Sequence, residues 1–260
     1  MPERERSFHA EAVVLRHNDW GEADRILVLY TRDMGKLRAV AKGVRKIRSR
    51  KAGHLEPFTR VRLYLARGRD MPIITQAETV EAYQPIRDDL LRTGYAVYLV
   101  ELLDRFTYEE GSNRLLFGLL TDSLARLAGE DSPWLVARYY EIQLLEAVGY
   151  RPELTHCVNC RREIKPEDQF FSNLAGGVLC PECGAAQPGA RKISTLALKY
   201  LRHLQRSSYL EASRARIQPP VMVEIESILN GYITFILERN LNTPVFLREV
   251  RDTYGDNPLK

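Results

Sequence analysis

No cysteine occurs in the first 156 residues or after residue 183. All four lie between, where two disulfides or four free thiols are the plain alternatives to a metal; free thiols would not cluster this way, and disulfides need an oxidising compartment that nothing here suggests. No run of 18 or more consecutive apolar residues is present, which removes the usual sequence sign of a membrane span. The opening residues, MPERERSFHAE, alternate charges and lack the apolar stretch of a secretory signal, so a reducing cytoplasm is the expected compartment. There is no G-x-S-x-G elbow and no glycine-rich loop to cradle phosphates. The five histidines, His9, His17, His54, His156 and His203, are scattered. Nucleophilic catalysis therefore lacks its usual parts, and no catalytic residue is assigned. Internal repeats and low-complexity tracts are also absent. Acidic residues are missing from one stretch in particular, Lys36 to Lys51.

The cysteines that are present form two C-x₂-C pairs, Cys157 with Cys160 and Cys180 with Cys183, separated by 19 residues. That is the spacing of a four-thiolate zinc site. Two residues between paired cysteines let a tight turn aim both sulfurs at one point, and a second such turn completes a tetrahedron. Pro181 and Gly184 suit a tight second turn. With four protein sulfurs around it, one zinc ion would have no open position for water or substrate and would be structural. His156 is a conceivable alternative ligand but is not needed.

The net charge of +4 is unevenly distributed. Residues 1–80 carry 17 Lys/Arg against 10 Asp/Glu, while the remaining 180 residues carry 21 against 24. Such asymmetry points to a polyanion-binding N-terminal part beside a more neutral scaffold. Its focus is the acid-free stretch, which holds Lys36, Arg38, Lys42, Arg45, Lys46, Arg48, Arg50 and Lys51. Arg25, Arg60 and Arg62 on neighbouring predicted strands would extend the patch. A solvated loop is the plain reading of a charge run. Backbone binding to nucleic acid is the reading favoured by a run that continues a strand with a basic face. Tyr30, Phe58 and Tyr64 fit two roles, stacking on bases or filling a core.

Alternation predicts strands over 9–16, 24–31, 35–41, 58–65 and 71–80, with a turn at Asn18 to Gly21. In the fourth, Val61, Leu63 and Leu65 share one face and Arg60, Arg62 and Tyr64 the other. Five short strands in about 75 residues suggest an oligonucleotide-binding (OB) barrel. From Pro85 the texture is helical. Residues 95–106 are apolar nearly all round, and 113–127 carry a leucine stripe. Ser132-Pro133 opens a helix that stops at Gly149, residues 194–205 form a short amphipathic one, and Pro219-Pro220 opens a long one to Arg239. The expected fold is therefore α+β and multidomain. A five-stranded OB-like barrel over 1–83 precedes an all-α domain over 84–260, with a zinc knuckle inserted at 154–187.

Several local series agree with one family. Ala12-Val13-Val14-Leu15, Gly21-Glu22-Ala23-Asp24-Arg25, Tyr30-Thr31, Gly35-Lys36, Ala41-Lys42-Gly43-Val44-Arg45 and Ser49 resemble the N-terminal signature of the bacterial RecO family of the RecFOR recombination pathway. The order of barrel, helical domain and twin C-x₂-C pairs extends that resemblance over nearly the whole chain. It implies a recombination mediator that binds single- and double-stranded DNA and anneals complementary strands. It also implies work with the ring-forming partner RecR to load RecA onto strands coated by single-strand DNA-binding protein (SSB), whose acidic C-terminal tail is a further partner. The DNA role carries onto Lys36, Arg38, Lys42 and Arg45, which sit in the matching motif. Arg126 and Arg138 are candidates for a basic rim at the tail site. Some members of the family lack the cysteines, which fits a scaffolding metal.

Two other readings compete. In a zinc nucleobase deaminase, His9-Ala10-Glu11 would supply H-x-E and Cys180 with Cys183 the C-x-x-C. Against it stand Leu179 where that motif has proline, a predicted strand where it has a helix, and the lack of any role for Cys157 and Cys160. A zinc-ribbon adaptor that binds only proteins would leave the basic run as a solvated loop.

Overall fold

The computed structural model describes residues 7–108, 111, 113–129, 131–239, 241 and 243–254. The first and last six residues, at the outer ends of the two expected domains, lie outside the described residues. By contacts the chain divides into two compact units, Met1–Glu130 and Asp131–Lys260.

The first unit begins with five strands, β1 (Ser7–Trp20), β2 (Asp24–Thr31), β3 (Gly35–Ala41), β4 (Arg60–Ala66) and β5 (Ile73–Glu81). They close into a barrel of order β1-β2-β3-β5-β4, antiparallel except where Val40 of β3 meets Ile73 of β5 in parallel. Closure depends on the length of β1. Its first half pairs with β4, Ser7 opposite Ala66 through Val13 opposite Arg60. Its second half pairs with β2 as far as Trp20 opposite Asp24. An irregularity between Val14 and Arg16 bends the strand from one partner towards the other. β1 thus runs through the predicted turn, because Asn18, Asp19 and Trp20 each find a partner on β2, and the chain reverses at Gly21 instead.

Alternation sorts the faces as expected. Val61, Leu63 and Leu65 are buried with Ala12, Val14, Leu27, Leu29, Ala39, Ala41 and Ile74 inside the barrel. Arg62 and Tyr64 of the same strand are exposed. Phe58 lies before β4, not in it, and has a positive φ of 70°. Among the described residues, a 3-10 turn (Ala52–His54) and the α-helices α1 (Gln84–Arg87), α2 (Leu90–Phe106) and α3 (Arg114–Ala128) join them in this unit. Asp89 caps α2 by accepting from the Arg92 N–H at 3.0 Å. α2 buries Tyr95, Tyr98, Leu99, Leu102 and Leu103, in keeping with its nearly continuous apolar surface.

The second unit contains α4 (Pro133–Ala147), β6 (Gln169–Ser172), β7 (Gly177–Leu179), α5 (Pro181–Ala185) and β8 (Arg191–Ile193). α6 (Thr195–Arg206), α7 (Tyr209–Ala212), α8 (Pro219–Leu237) and α9 (Thr243–Tyr254) follow. The short strands form a sheet of order β7-β6-β8 that carries the cysteine pairs. Ser132 precedes Pro133 at the start of α4 as predicted, although its side chain makes no capping bond. Ser194 does cap α6, accepting from the Ala197 N–H at 3.2 Å.

α8 corrects one expectation. It is long enough, with a mean hydropathy of 1.3, to cross a membrane by length and composition. Glu224, Glu226, Ser227 and Asn230 interrupt its apolar run and hid this from a count of consecutive residues. Both carboxylates meet protein partners. Glu224 accepts from the N–H and the hydroxyl of Ser194, both at 2.6 Å, and Glu226 accepts from Trp134 Nε1 at 3.2 Å. These bonds, with Ile225, Ile228, Leu229 and Tyr232 buried, tie one face of the helix into the second unit, while about a third of its apolar window is buried.

Arg138, a candidate for a basic rim, is instead buried. It pairs with Glu141 at 2.7 Å, where Glu141 is completely enclosed. Removing one partner of such a pair strands the other in a poorly solvating interior, at a cost of about 3–5 kcal/mol. The variant Arg138→Met is expected to lose stability on that scale in urea unfolding, and Arg138→Met/Glu141→Leu to recover most of it.

Candidate metal centre and basic loop

The four cysteine Sγ atoms lie within 4.8 Å of one another, and none is in a disulfide. Cys160 and Cys180 sulfurs are 3.8 Å apart. A tetrahedron with metal–sulfur bonds of about 2.3 Å has edges of roughly 3.8 Å, so the group fits a four-coordinate ion. His156 is exposed and stands outside it.

Local structure builds each half of the site. In the first, the Arg161 N–H donates to the Cys157 carbonyl at 2.9 Å and the Cys157 N–H to the Arg162 carbonyl at 2.8 Å. Arg161 takes a left-handed φ of 63° to close this turn. Glu153 holds the approach, accepting from the N–H groups of Thr155 and His156 at 2.6 and 3.0 Å. Burial pushes the Glu153 carboxyl up, but those two donors outweigh it and leave it below the usual carboxylate range. In the second half, Cys180 stands at the N-terminus of α5 with Pro181 in its first turn. Gly184 follows for a different reason than turn geometry. A Cβ there would lie 2.4 Å from the Phe170 ring, so glycine lets α5 sit against β6.

Electrostatics favour a cation. The Arg162 guanidinium donates from Nε to Cys160 Sγ at 3.3 Å, which holds that thiol down at about 6. Asn159 donates to Cys183 Sγ and lowers its pKa, but hydrogen bonding among the other sulfurs and desolvation prevail, and it is pushed up to about 11. Four clustered thiols cannot all ionise without an ion to share the charge. Arg162 also binds Glu182, and its Nη2 lies 3.8 Å from Cys180 Sγ. No cysteine spacing announces Arg162 or Asn159, and sequence reasoning missed both.

The basic stretch sorts into two classes. Lys36 Nζ donates to the Asp104 carbonyl at 2.8 Å and carboxylate at 2.9 Å, with only 15% of its side chain exposed. Arg25 bridges Asp19 and Glu56, both at 3.2 Å, and Arg60 is bound to Glu11. Lys51 Nζ donates to the Ile74 carbonyl at 2.9 Å, and burial pushes its pKa down. Arg45 reaches Asp19 at 3.3 Å and the Gly21 carbonyl at 3.2 Å. Arg62 pairs with Glu78 at 3.2 Å, but both are more than half exposed, so the pair is weak. The second class is Arg38, Lys42, Lys46, Arg48 and Arg50. All five are exposed, and none has an ion pair or side-chain hydrogen bond among the described residues.

Tyr30 and Phe58 are buried, which assigns both to the core, and Tyr64 packs its ring edge-on to His9 with centroids 4.4 Å apart. His9 and Glu11, the deaminase candidates, are thus occupied by Tyr64 and Arg60 on the barrel.

The two motif segments explain each other. The Asp24 carboxylate accepts from the Gly43 N–H at 2.7 Å, and the Arg45 N–H donates to the Ala23 carbonyl at 2.9 Å. Gly43 has a φ of 65°, which a side chain would strain. The GEADR and AKGVR segments are therefore two sides of one clip, from which the free cations project.

A family sequence model described as "Recombination protein O N terminal" matches residues 6–83, and one described as "Recombination protein O C terminal" matches residues 87–244. The chain belongs to the RecO family. A relative from Roseiflexus sp. (strain RS-1), named DNA repair protein RecO, is 40% identical over 248 residues, 95% of this chain and 87% of its own length. One of the same name from Dehalococcoides mccartyi (strain CBDB1) is 36% identical over 244 residues, 94% of this chain and 96% of its own. A third, from Pelotomaculum thermopropionicum, is 38% identical over 251 residues. The closed barrel, the helical region and the clustered cysteines accord with RecO architecture.

Two outcomes follow from this geometry. Purified protein should carry about one divalent transition-metal ion per chain. Cys183→Ser should lose that ion and lower the melting temperature of the second unit, because ligand geometry and folding are coupled; metal analysis with calorimetry checks both. Asp24→Ala should cost about 1–3 kcal/mol for the orphaned Gly43 N–H and speed amide exchange from Gly43 to Lys51, read by hydrogen–deuterium exchange.

Proposed function

We propose that this RecO-family chain is a DNA-binding recombination mediator that uses the free cations of its barrel, with a structural zinc in its second unit. The supporting observation is the series Arg38, Lys42, Lys46, Arg48 and Arg50 within one acid-free stretch, exposed and without protein partners among the described residues. A cation already satisfied by a carboxylate gains little from a phosphate, whereas one held only by water displaces condensed counterions when it meets DNA. Five such contacts on single strands give a slope of log affinity against log salt of roughly −3 to −4. Arg62, in a weak surface pair, is available as an accessory contact. Lys36, Arg25, Arg45, Lys51 and Arg60 support the surface on which the others act.

The mechanism is electrostatic. A basic loop placed between two strands screens their phosphate repulsion and lets complementary bases meet, and no covalent bond is made or broken. In this reading the protein acts on single- and double-stranded DNA in the bacterial cytoplasm. With RecR it helps RecA replace SSB, and it engages the acidic tail of that protein. Four thiolates favour zinc over harder cations, and their closed set leaves the ion no place for substrate.

Annealing of complementary strands precoated with SSB, followed across a salt series, tests this. The wild-type chain is expected to accelerate annealing, and Lys46→Glu/Arg48→Glu to lose most of that acceleration with a shallower salt dependence. Both residues lie outside the clip, so their reversal leaves its hydrogen bonds intact. Absence of acceleration by the wild type at every salt concentration would favour the protein-only adaptor.

A further inference from the structure

The chain has two tryptophans, and the structure treats them oppositely. Trp134 is 6% exposed, with its indole N–H donating to Glu226. Trp20 is 58% exposed, and its indole makes no hydrogen bond or ring contact to a described residue. Leaving so large an apolar ring in water forfeits burial energy that the fold could have used.

Its position is specific. Trp20 ends β1, opposite Asp24, whose carboxylate holds the Gly43 N–H. Arg45 donates to the carbonyl of the next residue, Gly21. Trp20 therefore sits next in register to the clip whose segment carries Lys42, Lys46, Arg48 and Arg50. The aromatic residues named from sequence, Tyr30, Phe58 and Tyr64, are buried or engaged with His9. Trp20 lay in a segment read as a turn.

We propose that Trp20 is a stacking platform for an unpaired DNA base, while the neighbouring free cations hold the adjoining phosphates. This rests on the reading of the basic loop as a phosphate-binding element, and adds to it a preference for single strands. Cations alone do not distinguish an unpaired strand from a duplex by its bases. An exposed indole does, because only an unpaired or terminal base offers its face. Stacking on an aromatic side chain contributes about 1–3 kcal/mol per base and tolerates any sequence.

The test is intrinsic fluorescence together with binding affinity. Titration of the wild-type protein with an oligothymidylate is expected to quench tryptophan emission. The Trp20→Phe protein, which keeps Trp134, supplies the background. Trp20→Ala should weaken single-strand binding by about 5- to 150-fold, the equivalent of one stacked base. Its salt slope should remain that of the wild type, its duplex affinity should stay within about twofold of it, and Trp20→Phe should retain most single-strand affinity. Absence of quenching on binding would overturn the proposal. So would single-strand affinity in Trp20→Ala equal to the wild type, or equal losses on single strands and duplex. If the wild type binds neither form at low salt, or Lys46→Glu/Arg48→Glu binds as well as it does, the phosphate-binding reading itself fails. A Trp20→Ala protein that binds normally while the charge-reversed protein does not would sink the stacking role alone.

Discussion

A charge on a protein is satisfied by water, by an opposite charge or by a bound ion, and that choice governs this molecule. Lys36 and Arg38 are two residues apart on one strand, yet one is sealed against Asp104 and the other faces solvent. The first ties the barrel to α2. The second has no ion pair among the described residues. In the second unit the same constraint acts with reversed sign, since clustered sulfurs need positive charge and draw on Arg162. Arg138 and Glu141 form a third case, in which two enclosed charges pair with each other and Arg138 also lies 4.0 Å from Glu226.

Much of this fold can be read from sequence because its signals are local. The alternation of Val61, Leu63 and Leu65 with charged neighbours marks β4. The C-x₂-C spacing marks the sulfur cluster, and Pro219-Pro220 marks the start of α8. Other features depend on distances along the chain that no periodicity encodes. The Lys36 and Asp104 side chains meet across 68 residues. Arg138 and Glu141 lie three residues apart, as in many surface pairs, and only packing shows that they are buried. β6, β7 and β8 are three or four residues long, too short for alternation to register. α9 follows a Thr-Pro start signal that sequence reasoning passed over.

The basic stretch shows how far a charge run's surroundings can lie from it in sequence. Its lack of acids is visible in sequence. What is not visible is that acids from elsewhere, Asp19, Glu56 and Glu11, reach its margins and neutralise Arg25, Arg45 and Arg60. The family motif has a similar lesson. Its two segments are joined by bonds between Asp24 and Gly43 and between Ala23 and Arg45, which periodicity along the chain does not encode.

The long first strand has a consequence for the order in which the chain is made. β2 follows β1 at once, but β4 begins only at Arg60, so during synthesis one side of β1 waits for about 40 residues with its backbone groups unpaired. An open edge of that kind is where a nascent chain is most exposed to pairing with a neighbour. The sulfur site has the opposite timing. Its two halves emerge 20 residues apart, before α6 and α8 are made, so an ion arriving early can gather the short strands while the later helices are still to come.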